Sequence, residues 1–272
     1  MISEFSDIPI SHDEYLDIRR FLYNISGIEL GVRKQSLVTS RLRKRLRHHN
    51  LHSYTDYLSL IEDITNNDER QTAINLLTTN ETNFFREINH FLFLREKIFP
   101  FFSKNGPCRI WSAAASSGEE AYSIAMEMAE YFNKDSWEVF GSDISTKVLK
   151  KACSATYVCD RKKNIPEYYL KKYCLRGIDE YEGSFLIDCL IRKNVFFQQI
   201  NLVDSLPNIG SFDVIFLRNI LIYFDETTKK NIVGRVYKKL KSGGYLFVGH
   251  SESITNLHRK MQIVKPSIYR KL

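Results

Sequence analysis

From residue 108 onward this chain alternates apolar strand-like runs with helical stretches, and no other feature limits its possible folds as strongly. CRIWSAAAS (108–116) reads as a strand entering a turn of small residues, with a helix over 118–132 behind it. WEVFGSDIS (137–145) is a second strand with a helix near 145–153, and NVFFQQINL (194–202) a third strand. FDVIFLRNI (212–220) is a fourth, followed by a helix near 225–240, and GYLFVGHSE (244–252) a fifth. The tail MQIVKPSIYRKL (261–272) is expected to add the last strands of the sheet. Strands separated by helices imply an α/β fold with a parallel sheet and right-handed crossovers. The stretch 157–195 breaks this rhythm; Arg176-Gly177 and Gly183 are turn signals, which predict a small inserted β-unit.

The first eighty residues have a different, helical period. Ser11 stands as N-cap with Glu14 at the capping-box position ahead of a helix over 13–25, and Gly27 and Gly31 bracket a break. Lys34–His49 places Val38, Leu42 and Leu46 on one stripe at i, i+4, i+8, and helical stretches near 53–63 and 68–78 follow. The expected organisation is a helical domain over 1–80 and a sheet domain over 81–272 that contains the insert. The length of 272 residues and 43% hydrophobic content supply a packed core and exclude global disorder. No apolar run reaches the ~18 residues of a membrane span, and the opening MISEFSDIPISHDEY lacks the basic start and apolar stretch of a secretory leader. Five cysteines with no Cys-x-x-Cys pair argue against a zinc site or a disulfide framework.

Charge is unevenly placed. Arg33 to Arg47 holds seven basic residues and no acid, whereas the other residues of the first eighty hold three basics and eleven acids. Such a stripe suggests an acidic partner surface, nucleic acid or protein.

Five segments carry candidate chemistry. SAAASSGEE (112–120) joins a strand to a helix, and its small side chains let a ligand approach the backbone and the free N–H groups of the helix start; any tight strand-to-helix turn favours the same residues. Asp143 ends the second strand, where an acid accepts hydrogen bonds from ribose hydroxyls; capping the next helix is the alternative, a role Ser145 can also fill. Asn201-Leu202 and Asn219 follow the third and fourth strands, at the sheet edge where open α/β folds bind ligands; turn formation is the alternative for each. TTNETNFFRE (78–87) packs polar residues, Phe84, Phe85 and Arg86 between the two regions; the alternatives are core packing for the phenylalanines and a surface ion pair for Arg86.

TTNETNFFRE, WSAAASSGEEAYSIAME, FGSDIS, Asn201-Leu202, FDVIFLRNILIYFD and LFVGHSES occur in one order and together resemble the CheR family of chemotaxis receptor methyltransferases, over nearly the whole chain. The resemblance implies a class I S-adenosylmethionine-dependent methyltransferase (Rossmann-like) sheet preceded by a small all-α domain, with S-adenosylmethionine between them. By motif match, Asn80, Thr82 and Arg86 would reach the methionine end of the cofactor or the transfer site. Glu120, or alternatively Glu119, would hold its amino group, Asp143 the ribose, Asn201-Leu202 the adenine, and Asn219 with Ile220 the amino-acid end. Arg86 and Tyr223 would lie nearest the chemistry.

The implied substrate is a glutamate carboxylate of a chemoreceptor. It is already an anion at neutral pH and needs no general base, which is consistent with seven histidines that form no evident base or metal cluster in sequence. Arg86 is expected to orient that carboxylate in bidentate geometry, with Tyr223 donating to it or lining the methyl channel. Arg41, Arg43, Lys44, Arg45 and Arg47 are expected to dock on the acidic methylation helices of the receptors, placing the protein in the cytoplasm at membrane receptor arrays. Some family members hold a receptor's C-terminal pentapeptide on such a β-unit and share an Arg-Gly-x-Gly turn. This chain reads Arg176-Gly177-Ile178-Asp179, which puts pentapeptide binding in doubt. Two rival readings remain. A nucleic-acid methyltransferase would explain the basic stripe, but no aromatic interleaves it. A non-catalytic S-adenosylmethionine-binding adapter would explain the fold, but Arg86, Asp143 and Tyr223 are all present.

Overall fold

The computed structural model describes residues 8–102, 107–133, 136–256 and 260–272. The first seven residues, part of the segment read against a secretory leader, lie outside them. The chain divides into two compact units, 1–79 with 223–225, and 80–222 with 226–272.

The helical unit contains α1 (His12–Ser26), α2 (Gln35–His48), α3 (Tyr54–Glu62) and α4 (Asn67–Leu77). The capping box forms at the start of α1: the Glu14 N–H donates to Ser11 Oγ at 3.2 Å, and the Ser11 N–H to Glu14 Oε2 at 2.8 Å. Gly27 ends the helix in the left-handed region (φ 69°). Val38, Leu42 and Leu46 of α2 are completely buried. In the same unit, the Tyr223 carbonyl accepts from the Glu29 N–H at 2.8 Å, and Asp225 Oδ2 accepts from the Tyr23 hydroxyl at 2.7 Å.

The second unit begins with α5 (Ile88–Phe93), which passes through a π-helical turn at Leu94–Ile98 into α6 (Phe99–Phe102). Then come β1 (Cys108–Ser112), α7 (Glu119–Tyr131), β2 (Trp137–Asp143) and α8 (Thr146–Ser154). The insert follows as β3 (Thr156–Val158), α9 (Glu167–Tyr173), β4 (Cys174–Arg176) and β5 (Ser184–Ile187). The chain closes with α10 (Cys189–Arg192), β6 (Val195–Gln199), β7 (Phe212–Leu217), α11 (Glu226–Lys239), β8 (Leu240–Val248), β9 (Met261–Lys265) and β10 (Ile268–Lys271). The large sheet has the order β6-β2-β1-β7-β8-β10-β9. Its first five strands are parallel, and β10 pairs antiparallel with both β8 and β9. All six residues of β7 are buried, as a central parallel strand covered on both faces requires. Strand order reverses beside β1, which puts the ligand crevice of such a sheet at the carboxyl ends of β1, β2 and β7.

The insert is a three-stranded antiparallel sheet, β3-β5-β4. A Cβ at Gly177 would lie 2.0 Å from the Tyr181 carbonyl oxygen, so only glycine fits there. Asp179 adopts φ 51°. The turn therefore closes with an aspartate in the left-handed region, which Asp tolerates better than most residues. No described helix is long and apolar enough to cross a membrane.

Candidate active site

The loop after β1 is held in place by the strands beside it. The Ala113 N–H donates to the Phe216 carbonyl (2.8 Å) and the Ala115 N–H to the Ser142 carbonyl (2.8 Å). The Ser116 N–H reaches Asp143 Oδ2 (2.9 Å), with Ser116 itself at φ 49°. Gly118 has φ 95°, and a Cβ there would lie 2.9 Å from the Ala152 Cβ and 3.0 Å from the Tyr157 hydroxyl. Small residues are thus needed both for the turn and for packing of the start of α7 on α8 and the insert.

Residues 80–87 lie against this loop. Ser116 Oγ donates to the Asn80 carbonyl at 2.9 Å, and Arg161 Nη1 to the Thr82 carbonyl at 2.7 Å. Phe84 and Phe85 are buried: Phe84 meets Tyr157 edge-on and Phe85 stacks on Tyr169. The core-packing alternative is what these two side chains do. Phe85 and Glu87 flank Arg86, both in the left-handed region (φ 51° and 59°). Arg86 is half-buried and donates to the Glu81 carbonyl at 3.1 Å.

The paired acids at the start of α7 point to different surroundings. Glu119 is completely buried and accepts from Ser117 Oγ at 2.7 Å, with Arg161 3.7 Å away on the insert side. Burial pushes its carboxyl up. Glu120 accepts from Ser112 Oγ at 2.6 Å and from Arg218 Nη1 at 3.0 Å. Burial also pushes Glu120 up, against the pull of Arg218.

Asp143 does not cap α8 through a side-chain bond to the helix. Its two oxygens accept the Ser116 and Ser145 N–H groups, 2.9 Å each, stapling the loops after β1 and β2 together. Burial raises its carboxyl above the ordinary aspartate value despite those donors. With about four lone-pair sites, the carboxylate keeps capacity to accept from a hydroxyl. The loop after β6 joins here through the Ile200 N–H, which donates to the Asp143 carbonyl at 3.1 Å. Asn201 itself makes the bonds of a turn: its Oδ1 accepts from the Val203 N–H and its Nδ2 donates to Asp204. Leu202 is buried.

The centre of the network is a residue that the sequence reading passed over, Arg218, whose side chain is 1% exposed. Nη2 lies 2.9 Å from Glu87 Oε2 and 2.6 Å from the Arg86 carbonyl, while Nη1 engages Glu120. Burial works against ionisation of Glu87. Arg218, Asn219 and the His250 N–H outweigh it and hold that carboxyl below its ordinary value. Asn219, at φ 57°, donates from Nδ2 to Glu87 Oε1 (3.2 Å). Its N–H donates to Glu252 Oε2 (2.8 Å), which also takes the Gly249 N–H (2.6 Å). Glu252 Oε1 accepts from the Ile222 N–H at 3.3 Å, so one buried carboxylate shapes the turn carrying Asn219 and Ile220. Arg218 follows an apolar strand and its acidic partners lie far away in sequence. The charge alone, placed at a strand end, was the available signal.

The fold also assembles what the sequence reading did not foresee, two histidines and an acid: Glu87, His90 and His250. The structure therefore joins Asn80 and Asp143 at the loop after β1, ties Thr82 to Arg161 of the insert, and joins Arg86 and Glu120 through Arg218 and Asn219 through Glu87. Tyr223 groups with the helical unit.

The basic stripe proves heterogeneous. Arg45 donates from Nε to Glu69 Oε1 at 2.8 Å and from Nη2 to Glu69 Oε2, and Glu69 also accepts from the Tyr57 hydroxyl (2.6 Å). The compensating acid missing from the stripe thus comes from α4. Arg41 Nη1 donates to the Leu77 and Thr78 carbonyls, 3.0 Å each, at the carboxyl end of α4. Both guanidiniums are engaged within the unit, which corrects the expectation that all five cations present themselves to a partner. Arg43 is half-buried, while Lys44 and Arg47 are exposed.

Residues 80–270 match the family domain described as CheR methyltransferase, SAM binding domain, and residues 13–78 the CheR methyltransferase, all-alpha domain. Three chemotaxis protein methyltransferases are similar throughout. The one from Salmonella typhimurium is 40% identical over 265 residues, covering 96% of this chain and 91% of the relative. The one from Escherichia coli is 39% identical over 265 residues, covering 96% and 92%. The one from Borreliella burgdorferi is 37% identical over 276 residues, covering 97% and 96%.

Proposed function

Because the chain belongs to the CheR methyltransferase family, we propose that it methylates glutamate side chains of chemotaxis receptors at the site built around Arg218. It is an S-adenosylmethionine-dependent methyltransferase of chemotaxis; the acceptor and the roles of individual residues are our reading. The donor set suits the cofactor. A small-residue loop, an acid at the end of β2 and an acid at the start of α7 surround the carboxyl ends of β1, β2 and β7. The observation that carries the reading is the division of labour between the two glutamates: Glu120 shares Arg218 with the Arg86 carbonyl, whereas Glu119 turns to the insert.

Bound S-adenosylmethionine supplies a methyl group on a positively charged sulfur. Asp143 accepts from the ribose hydroxyls with acceptor capacity left over after its backbone donors. Glu120 takes the ammonium group, and Asn219 with Ile220 borders the amino-acid end. Asn80 and Thr82 flank the methionine end, and Leu202 lends apolar surface to the adenine beside Asn201. The substrate carboxylate, with a pKa of about 4.3 in water, arrives ionised. Arg86 orients it through a guanidinium fork, and Tyr223, which follows Asn219 and Ile220 in the chain, is the second residue assigned to it. Orientation and exclusion of water are the catalytic task, a contribution of roughly 7–11 kcal/mol in favourable cases.

Docking on acidic receptor helices falls to Lys44 and Arg47, with Arg43 at their margin, while Arg41 and Arg45 keep α2 in place. The protein then works in the cytoplasm at receptor arrays. The left-handed Asp179 and the edge position of β4 also support strand addition by a receptor tail peptide. The test is incubation with radiolabelled S-adenosylmethionine and a cytoplasmic chemoreceptor fragment, followed by mild base. Label released as methanol supports a glutamate ester. Cofactor binding without transferred label, across several fragments, overturns the acceptor assignment.

A further inference from the structure

The three side chains Glu87, His90 and His250 converge although the histidines come from opposite ends of the sheet unit, and each ligand atom lies within 4.8 Å of the other two. Hydrogen bonding fixes the tautomer of His90. Ser267 Oγ donates to the Pro266 carbonyl at 2.6 Å, so its oxygen is left to accept from His90 Nε2, 2.8 Å away. A neutral His90 that carries its proton on Nε2 presents a bare lone pair at Nδ1. That atom is buried without a hydrogen-bond partner and faces Glu87 Oε2 at 3.5 Å. His250 Nε2 stands 3.7 Å from the same oxygen. Three atoms able to supply an electron pair thus lie close together, with no proton placed between His90 Nδ1 and Glu87 Oε2.

We propose that Glu87 Oε2, His90 Nδ1 and His250 Nε2 form an open three-ligand site for a divalent transition-metal ion of the Zn²⁺ type. A tetrahedral ion with bonds of about 2.0–2.2 Å separates its ligand atoms by roughly 3.3–3.5 Å. The Glu87–His90 distance already meets that spacing, and the half-exposed His250 side chain closes the remainder by rotation. The Nε2–H to Ser267 bond is the outer contact that a metal-binding histidine needs to hold its ring and tautomer. A cavity of about 460 Å³ lies beside the two histidines, lined by His90, His250, Glu96, Lys265 and Ser267. Arg218 engages the same Glu87 oxygen at 2.9 Å and competes with the ion, so binding is weaker than at a closed structural site. Asn219 holds the other Glu87 oxygen, which places the ion one carboxylate away from the turn at the cofactor's amino-acid end.

The test titrates zinc chloride into the full-length protein without cofactor, against a chromophoric zinc indicator, and follows thermal unfolding with and without the ion. The expected result is one ion per chain and a zinc-dependent rise in unfolding temperature. His250→Ala, at an exposed side chain, and Glu87→Gln, which keeps the bond to Asn219, each weaken binding by at least about tenfold and abolish the thermal shift. Absence of wild-type binding at submillimolar zinc overturns the proposal. So does wild-type affinity in both variants, which would place the ion elsewhere, for example at His48 and His49 or the exposed Cys153 and Cys189. Neither cofactor nor methyl transfer enters the assay, so its failure leaves the proposed activity untouched.

Discussion

Replacing Arg218 by methionine should unfold the sheet unit more readily by about 3–5 kcal/mol at neutral pH, the usual loss when one partner of a buried ion pair is removed. The substitution keeps side-chain length and apolar volume but leaves two carboxylates, Glu87 and Glu120, and the Arg86 carbonyl without their shared donor. The pH dependence follows from the signs. In the wild type, Glu87 is held below its ordinary value, so it contributes stability above about pH 4.3 that is lost as pH falls through its folded pKa. Glu120 is pushed up by burial, so it costs stability as pH rises from about 4.3 through its folded pKa, and nothing below. Without Arg218 both folded pKa values rise. The stabilising contribution of Glu87 disappears and the cost of Glu120 grows, each above about pH 4.3. The gap between wild type and variant is therefore widest at neutral pH and closes toward pH 4–5. Urea unfolding followed by tryptophan fluorescence isolates the effect, because the two tryptophans, Trp111 and Trp137, both lie in β1 and β2 of the sheet unit. Adding Glu120→Gln to the variant should recover part of the loss. A gap under about 1 kcal/mol at neutral pH, or one that is the same at about pH 5, would refute the assignment of Arg218 as the counter-charge of both acids.

Gly118→Ala meets both a left-handed backbone and the Ala152 Cβ at 2.9 Å, so the same fluorescence assay should show a loss of about 1–3 kcal/mol, where a neutral result would mean that the loop after β1 yields easily. Arg86→Ala should lower turnover far more than cofactor affinity, measured by methyl transfer and by calorimetry respectively; unchanged turnover removes Arg86 from the chemistry. Arg45→Ala takes the guanidinium from Glu69, leaving it Tyr57 and His49, and should destabilise the helical unit by about 1–3 kcal/mol in a circular-dichroism melt. Lys44→Ala should leave that melt within about 0.5 kcal/mol yet weaken binding of a receptor fragment at low salt, and equal effects of the two substitutions would contradict the division of the stripe.

What could be read in the sequence was whatever repeats over short distances. The Ser11–Glu14 box, the Val38-Leu42-Leu46 stripe and the strand-and-helix alternation each sit within a few turns of chain, and each formed. The small-residue loop was legible for the same reason. Arg218 was not, because its meaning depends on Glu87 and Glu120, which only the strand order brings to it. The histidine pair was not legible either: Glu87 and His90 sit three residues apart, but His250 reaches them only through the fold. A more general reason lies in the backbone. A left-handed turn is usually read from glycine, yet Phe85, Glu87, Ser116 and Asn219 all have positive φ, a strain of about 1–2 kcal/mol each. Every one of them is held by a polar group from another element. The Phe85 N–H donates to Ser123, Glu87 accepts from Arg218 and Asn219, the Ser116 N–H donates to Asp143, and the Asn219 N–H to Glu252. At these four positions, unlike at Asn50, Ala155, Asp179 and Ser267, strain without glycine coincides with distant acids and hydroxyls that fix the loops assigned to the cofactor.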